Sequence, residues 1–209
     1  YVQEINNLEF QDAIEFVAEK YGFKLTYTQT SDNNDFKIYQ EKIDLINNYF
    51  LESMKSDKSK DAKAYLQKRK YDDKDIEKFS ISFISKDEES FHKFCKTNEI
   101  TNEDLKRLGF ISSNGNMLFK NRIMFPILNF RNNVVAFGGR VLDDFGPKYL
   151  NSSDSVLYKK NRNLYFTNDF ITATKKKGYA FIVEGYFDVL SLNKLGYANA
   201  ASPSGTALT

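Results

Sequence analysis

All three prolines (Pro126, Pro147 and Pro203) and nine of the ten glycines lie at residue 109 or later. Proline and glycine interrupt helices and mark turns, so the two halves of this chain are held to different structures. The first half has little to stop a helix, and the second is punctuated throughout. The expectation is a helical region up to about residue 108, then a mixed sheet region. The 209 residues are 41% hydrophobic and 28% charged, with a mean hydropathy of -0.54. That composition fits a soluble globular chain with a real core, not a disordered one. The longest purely apolar runs are a few residues, as in Tyr179 to Val183, too short to span a bilayer. A single cysteine, Cys95, excludes an internal disulfide and a Cys-rich metal site, and a single histidine, His92, removes most His-based catalysis. Because the chain starts at Tyr1 with no charged-then-apolar leader, the expectation is a piece of a longer cytoplasmic protein.

The net charge of +2 conceals a split. Up to residue 108, acidic residues outnumber basic ones by 22 to 18; after it, basic residues lead by 12 to 6. Between residues 118 and 177 the ratio is 11 basic to 4 acidic. Such a segment suits an anionic partner or is a solvated lysine-rich surface.

Within the first half, Phe10, Ile14, Val17 and Ala18 recur at helical spacing and stop at Gly22. Thr26 to Asp35 reads as a loop. Ile43, Ile46 and Phe50 form the stripe of a second helix over Phe36 to Met54, and Ser53 to Ser59 reads as a linker. Short helices are expected over Ala62 to Lys68, Asp73 to Phe79, Glu88 to Lys96 and Asn102 to Leu108, with a strand over Ile81 to Ile84. His92 reads as a plain surface or packing residue. In the second half, Arg122 to Leu128 and Val134 to Val141 flank a polar turn and read as a β-hairpin. Gly138-Gly139 in its second strand suggests a bulge or close approach by a ligand. Phe166 to Lys177 reads as a helix ending at Gly178, Tyr179 to Val183 as a buried strand, and Tyr186 to Leu195 as a helix before Gly196. Tyr197 to Ala201 suits a parallel strand. The fold class is α+β.

The segment Ala180-Phe-Ile-Val-Glu-Gly-Tyr-Phe-Asp-Val-Leu190 is the most informative. Its strand delivers Glu184 to a carboxyl end, Gly185 permits a tight turn, and Asp188 falls in the first turn of the next helix. In open α/β sheets, ligands bind at strand carboxyl ends. Paired carboxylates there suit Mg²⁺ or acid–base work; a helix-capping Asp beside an exposed Glu is equally compatible. Upstream, Arg122, Arg140, Lys148, Lys159, Lys160 and Arg162 are interleaved with Tyr149, Asn151 and Tyr158. Guanidinium forks and ammonium groups grip phosphates, while Tyr and Asn reach sugars or bases. Antiparallel pairing would bring Arg122 and Arg140 near each other on one face. No phosphate-cradling Walker loop and no hydrolase nucleophile elbow is present.

Taken in order, several segments resemble the catalytic core of bacterial DNA primase of the DnaG type. Tyr65-Leu-Gln-Lys-Arg69 resembles its Y-L-x-x-R element, Arg122-Ile-Met-Phe-Pro-Ile127 its R-V-M-F-P-I strand, and Phe137-Gly-Gly-Arg-Val141 its G-F-G-G-R-V. Pro147-Lys-Tyr-Leu-Asn-Ser152 resembles P-K-Y-L-N-S, and Lys159 fits the lysine of the F-H-K element. Val183-Glu-Gly-Tyr-Phe-Asp188 resembles the first TOPRIM motif, V-E-G-Y-M-D, and Ser204-Gly-Thr-Ala-Leu-Thr209 resembles L-G-T-A-L-T. Lys70 stands where the family usually has Gly, and Pro203 where it has an apolar residue.

The resemblance implies a helical part over 1–110, a basic mixed part over 111–177 and the start of a TOPRIM domain over 178–209. It implies RNA primer synthesis on single-stranded DNA by metal-dependent nucleotidyl transfer from NTPs. Glu184 and Asp188 would be the catalytic carboxylates. Glu184 would meet Mg²⁺ or Mn²⁺, with the remaining ligands beyond Thr209. Arg140, Lys148, Tyr149, Asn151 and Lys159 would bind nucleotide and primer–template, and Arg69 and Arg122 would extend a template-binding basic ridge. Zn²⁺ would belong to an amino-terminal zinc ribbon, and contact with a replicative helicase to a carboxy-terminal domain, neither within these residues. No membrane association is implied. The alternatives are another TOPRIM nucleic-acid enzyme, such as a primase–helicase, or a non-catalytic nucleic-acid-binding module.

Overall fold

Chain punctuation governs the architecture. In this computed structural model, which describes residues 2, 10–23, 25, 31–112, 114–143 and 146–204, the chain forms two compact units, Tyr1–Asp35 and Phe36–Thr209. In the first, helix α1 (Phe10–Tyr21) buries Ala13 and Ala18. It stops at Gly22, whose φ of +71° lets the Phe23 N–H reach the Ala18 carbonyl at 2.8 Å.

Helix α2 runs Ser31–Lys55, so residues 31–35 of the expected loop are helical; residues 26–30 lie outside the described ones. Ser, Asp and Asn suit both loops and helix starts, and composition alone does not separate the two. Ile43, Ile46 and Phe50 are buried as their spacing predicts. The expected linker is instead a tight corner. A 3₁₀ turn (Asp57–Ser59) follows α2, and the buried Ser59 hydroxyl donates to the Met54 carbonyl at 2.5 Å. The two serines of this corner, Ser56 and Ser59, satisfy backbone carbonyls, while Asp57 and Lys58 face solvent.

The short elements α3 (Lys60–Lys68), α4 (Asp73–Lys78), β1 (Ser82–Ile84), α5 (Glu88–Thr97) and α6 (Asn102–Arg107) match expectation within a residue or two. The starts of α4, α5 and α6 are fixed by side chains. Asp72 with Asp75, and Thr101 with Asp104, form reciprocal capping boxes, and Asp87 accepts from the Ser90 N–H at 3.1 Å.

The hairpin forms as its sequence predicts. Strands β2 (Arg122–Leu128) and β3 (Val134–Val141) pair antiparallel within a sheet of order β1-β2-β3-β4, where β4 is Tyr149–Asn151. Both faces of β2 are covered. Ile123, Phe125 and Ile127 join one core with Ala62, Leu66 and Ile76 of α3 and α4. Met124 joins the other with Ile43, Ile46 and Phe50 of α2 and Phe91 and Cys95 of α5.

A second sheet has the order β5-β7-β6, with β5 (Tyr165–Phe166), β6 (Phe181–Ile182) and β7 (Ala200–Ser202). β6 and β7 are parallel, as anticipated. The helix expected from Phe166 begins only at Phe170: Phe166 is in β5, Thr167-Asn168-Asp169 makes the turn, and α7 is Phe170–Lys177. Phe181 and Ile182 are 37% and 47% exposed, not buried, unlike Tyr165 and Phe166 on the opposite edge of the same sheet. Helix α8 (Tyr186–Lys194) follows, closed by Gly196 at φ +89°.

Burial within α5 pushes the Cys95 thiol up to about 11. The thiolate is the reactive form. Native protein at pH 8 is therefore expected to resist a chromogenic thiol reagent, with labelling appearing only as urea unfolds the chain. Prompt stoichiometric labelling of native protein would contradict this packing.

Candidate nucleic-acid interface

The i, i+4 pair Tyr65 and Arg69 lies on one face of the end of α3. Arg69 Nε donates to Tyr65 Oη at 2.6 Å, and its Cζ lies 5.2 Å from the Tyr65 ring and 4.5 Å from the Phe187 ring of α8. Arg140, near the end of β3, pairs in register with Tyr149 of β4. Its Cζ is 4.5 Å from the Tyr65 ring and 5.8 Å from the Tyr149 ring. Tyr149 stacks on Tyr186 at 6.0 Å, and Tyr186 on Phe125 at 4.8 Å. Rings and guanidiniums thus alternate from Phe187 through Arg69, Tyr65, Arg140 and Tyr149 to Tyr186. Among the described residues, neither Arg69 nor Arg140 takes part in an ion pair. Burial raises the Tyr149 hydroxyl above its ordinary value, so it stays a protonated donor.

The glycine pair has a different meaning from the one its sequence suggested. The ladder is regular through Phe125↔Gly138 and Met124↔Gly139, and the irregularity falls at Ile127/Leu128. A Cβ on Gly138 would collide with Tyr186 Oη, and one on Gly139 would lie 2.8 Å from Phe119. The close approach is by the chain's own rings, not a ligand.

Arg122 also departs from expectation. It is 4% exposed, and its Nη1 donates to the Gly139 and Pro147 carbonyls at 3.2 and 2.9 Å. Burial pulls its pKa below the usual guanidinium value, with Asp143 acting the other way. Arg122 is opposite Val141, and Arg140 opposite Ile123, so strand alternation sends the two arginines to opposite faces. Arg122 braces the loop ahead of Lys148 and offers no open ridge.

Lys148 is exposed immediately before Tyr149, and its carbonyl accepts from the Val141 N–H at 3.1 Å. Lys159 is exposed beyond the buried Tyr158, with Asp154 at 3.8 Å. Asn151 is a tie: it accepts from Tyr186 Oη and donates to the Ser204 carbonyl at 3.0 Å. Glu184 is exposed just beyond β6, its carbonyl held by Ser202 Oγ at 2.7 Å. Exposed Asp188 accepts from the Gly185 N–H at 3.0 Å, capping α8 from its first turn. Tyr186 therefore links the two clusters, two residues from Glu184 and stacked on Tyr149. Sequence reasoning did not single out Tyr65, Tyr186 or Phe187. The Tyr65/Arg69 spacing was the available signal for the first. His92 is exposed on α5, in line with its reading as a surface residue.

A methyl group at residue 138 cannot coexist with Tyr186 in place. Gly138→Ala is expected to lower stability by about 2 kcal/mol, measured by urea denaturation, with loss of near-ultraviolet tyrosine dichroism. An unchanged midpoint would contradict the close approach of ring and strand.

Comparison with known proteins came down on one family. A family model described as "DNA primase catalytic core, N-terminal domain" matches residues 49–170. The DNA primase of Rickettsia bellii is 34% identical over 216 residues, covering 100% of this chain and 35% of the relative. That of Aquifex aeolicus is 35% identical over 204 residues, covering 96% and 40%. The chain thus spans well under half the length of these curated relatives. Among solved structures, the RNA polymerase domain of Mycobacterium tuberculosis primase DnaG matches with a TM-score of 0.76 at 27% identity, over 83% of this chain and 58% of that one. A DnaG primase catalytic domain bound to single-stranded DNA matches with a TM-score of 0.73 at 30% identity, over 85% and 56%. The zinc-binding and RNA polymerase domains of the A. aeolicus primase match with a TM-score of 0.72 at 31% identity, over 100% and 51%.

Proposed function

The chain belongs to the DNA primase catalytic-core family, and on that premise we propose that it holds a single-stranded DNA template and primer for RNA synthesis by nucleotidyl transfer. The observation that carries this reading is the uncompensated guanidinium row, Arg69 and Arg140, joined through Tyr149 and Tyr186 to the turn that bears Glu184. A strand of phosphates suits such a row, because charge-assisted bonds to phosphate do not depend on base sequence.

In this reading Arg69, Arg140, Lys148 and Lys159 hold phosphates of the template, primer or incoming NTP. Tyr149 presents part of its ring and a protonated hydroxyl to a sugar or base. Asn151 keeps the Ser204 backbone and Tyr186 in register. Glu184 orients the attacking 3′-hydroxyl or takes its proton, and Asp188 fixes the turn that presents Glu184. Residues 178–209 are assigned to the beginning of a TOPRIM domain, after the helical part to 110 and the basic part to 177. Zinc binding and contact with a replicative helicase are assigned to segments outside these residues. Among the described residues, no helix is long and apolar enough to cross a membrane, and the proposed setting is the bacterial cytoplasm.

The proposed metal is Mg²⁺ or Mn²⁺. Glu184 and Asp188 offer the hard oxygen donors that such ions take, but Asp188 already accepts from Gly185. No group of three or more His, Cys, Asp or Glu among the described residues could hold a metal ion. The pair is therefore not a complete site. This chain's own residues supply binding, orientation and one placed carboxylate.

In the full chain, Glu184→Gln is expected to cut primer synthesis by at least about 100-fold while single-stranded DNA affinity stays unchanged. Retained synthesis would overturn the assignment of Glu184. Separately, the 209-residue chain supplied with template, NTPs and Mg²⁺ is expected to yield no primer, since no carboxylate group among the described residues completes a metal site. Robust product on a denaturing gel would contradict that.

A further inference from the structure

Resting on the reading of Arg69 and Arg140 as phosphate-binding groups, we propose that Tyr65 is a positioning residue that holds these two guanidiniums side by side for one nucleic-acid strand. The two Cζ atoms lie 5.2 and 4.5 Å from the centroid of the same ring, so they are at most about 10 Å apart. That is close to the screening length of roughly 8 Å at physiological salt, and each charge feels the other. Two like charges this close are ordinarily calmed by a carboxylate, and among the described residues none pairs with either.

The ring replaces that carboxylate. A carboxylate would fix a guanidinium and also cancel the charge that a phosphate needs. An aromatic face attracts the cation through its quadrupole and leaves the net charge intact. Tyr65 adds a directional element on one side only, since its hydroxyl accepts from Arg69 Nε at 2.6 Å. On the other side, Arg140 Nε is buried without a partner and Nη1 donates to the adjoining Val141 carbonyl. Arg140 is therefore held by the Val141 carbonyl on one side and the rings of Tyr65 and Tyr149 on the other. A guanidinium oriented before the strand arrives loses less side-chain freedom on binding.

The test uses the full chain and a fluorescein-labelled oligothymidine, with affinity measured over a range of salt concentrations. Tyr65→Leu keeps an apolar side chain but no ring. It is expected to weaken binding roughly tenfold and to lower the slope of log affinity against log salt by about 0.7 for each phosphate that is no longer neutralised. Tyr65→Phe and Tyr65→Trp keep a ring and are expected to stay within about threefold of the parent. None of the 209 residues is Trp, so the introduced indole also reports locally, and its emission is expected to change when the oligonucleotide binds. With Arg69 and Arg140 both replaced by Ala, Tyr65→Leu is expected to have no further effect, the signature of a residue acting through its partners.

Tyr65→Leu binding like the parent, while Arg69→Ala and Arg140→Ala weaken binding, would overturn the positioning role and leave the phosphate reading standing. Phe and Trp variants as weak as Leu would also overturn it. Arginine variants that change neither affinity nor slope would instead remove the phosphate reading itself. Circular dichroism of each variant checks that the fold is kept. Should Leu unfold the protein, the Phe, Trp and double-arginine arms still decide.

Discussion

Tyr186 lies almost parallel to Phe125, with 4.8 Å between centroids and 11° between planes, and fills the space where a side chain at residue 138 would stand. It is the first residue of α8, and Glu184 precedes it by two. Phe125 and Gly138 face each other across the hairpin. One buried ring therefore fixes the distance between the strand pair that carries Arg140 and the turn that carries Glu184. Its hydroxyl bonds Asn151 of β4, whose amide in turn holds the Ser204 carbonyl. Phe187, the residue after Tyr186, packs edge-on against the same Phe125 ring and carries Arg69 on its own face, so the acidic turn and the cationic row share one reference. Buried aromatic pairs of this geometry are worth more than their area alone.

Among the described residues, some cations of this unit meet a carboxylate and others do not. Lys42, Lys120 and Lys194 each meet an acid, Asp104, Glu88 and Asp75 respectively. These pairs tie helices and loops together and leave no net charge. Arg69 and Arg140 meet rings instead. Within residues 118–177, Lys120 is neutralised by Glu88 whereas Arg140 is not. Net charge counts both kinds of cation alike, but a cation with a close carboxylate partner presents a weaker field to a polyanion.

Much of the fold was legible because local signals agreed. The absence of helix breakers and the spacing of apolar residues located the short helices, and a five-residue polar turn between apolar runs located the hairpin. The misreadings share one cause: a polar stretch has the same composition whether it faces water or satisfies backbone groups. Ser31 to Asp35 continue into a helix, and Ser59 closes a buried corner. Strand Phe181–Ile182 looked buried because apolar runs usually are. Its exposure depends on what packs over the faces of the sheet, a nonlocal fact that no window of sequence contains.

Legibility of the site followed strand parity. Arg122 and Arg140 stand on paired strands, and residue type alone treats them alike. Their register partners are one step out of phase, Val141 for Arg122 and Ile123 for Arg140. The first arginine turns toward Gly139, whose missing side chain makes room for it, and bonds two carbonyl groups. The second turns toward Tyr65 and Tyr149. A shift of one residue in the pairing would exchange their roles, because side chains alternate with a period of two. The glycine pair therefore does two jobs on opposite faces of one strand. Gly138 admits the ring that anchors the acidic turn, and Gly139 admits the arginine that braces the loop before Lys148. Neither requirement comes from a ligand, and both decide where Arg140 and Lys148 stand.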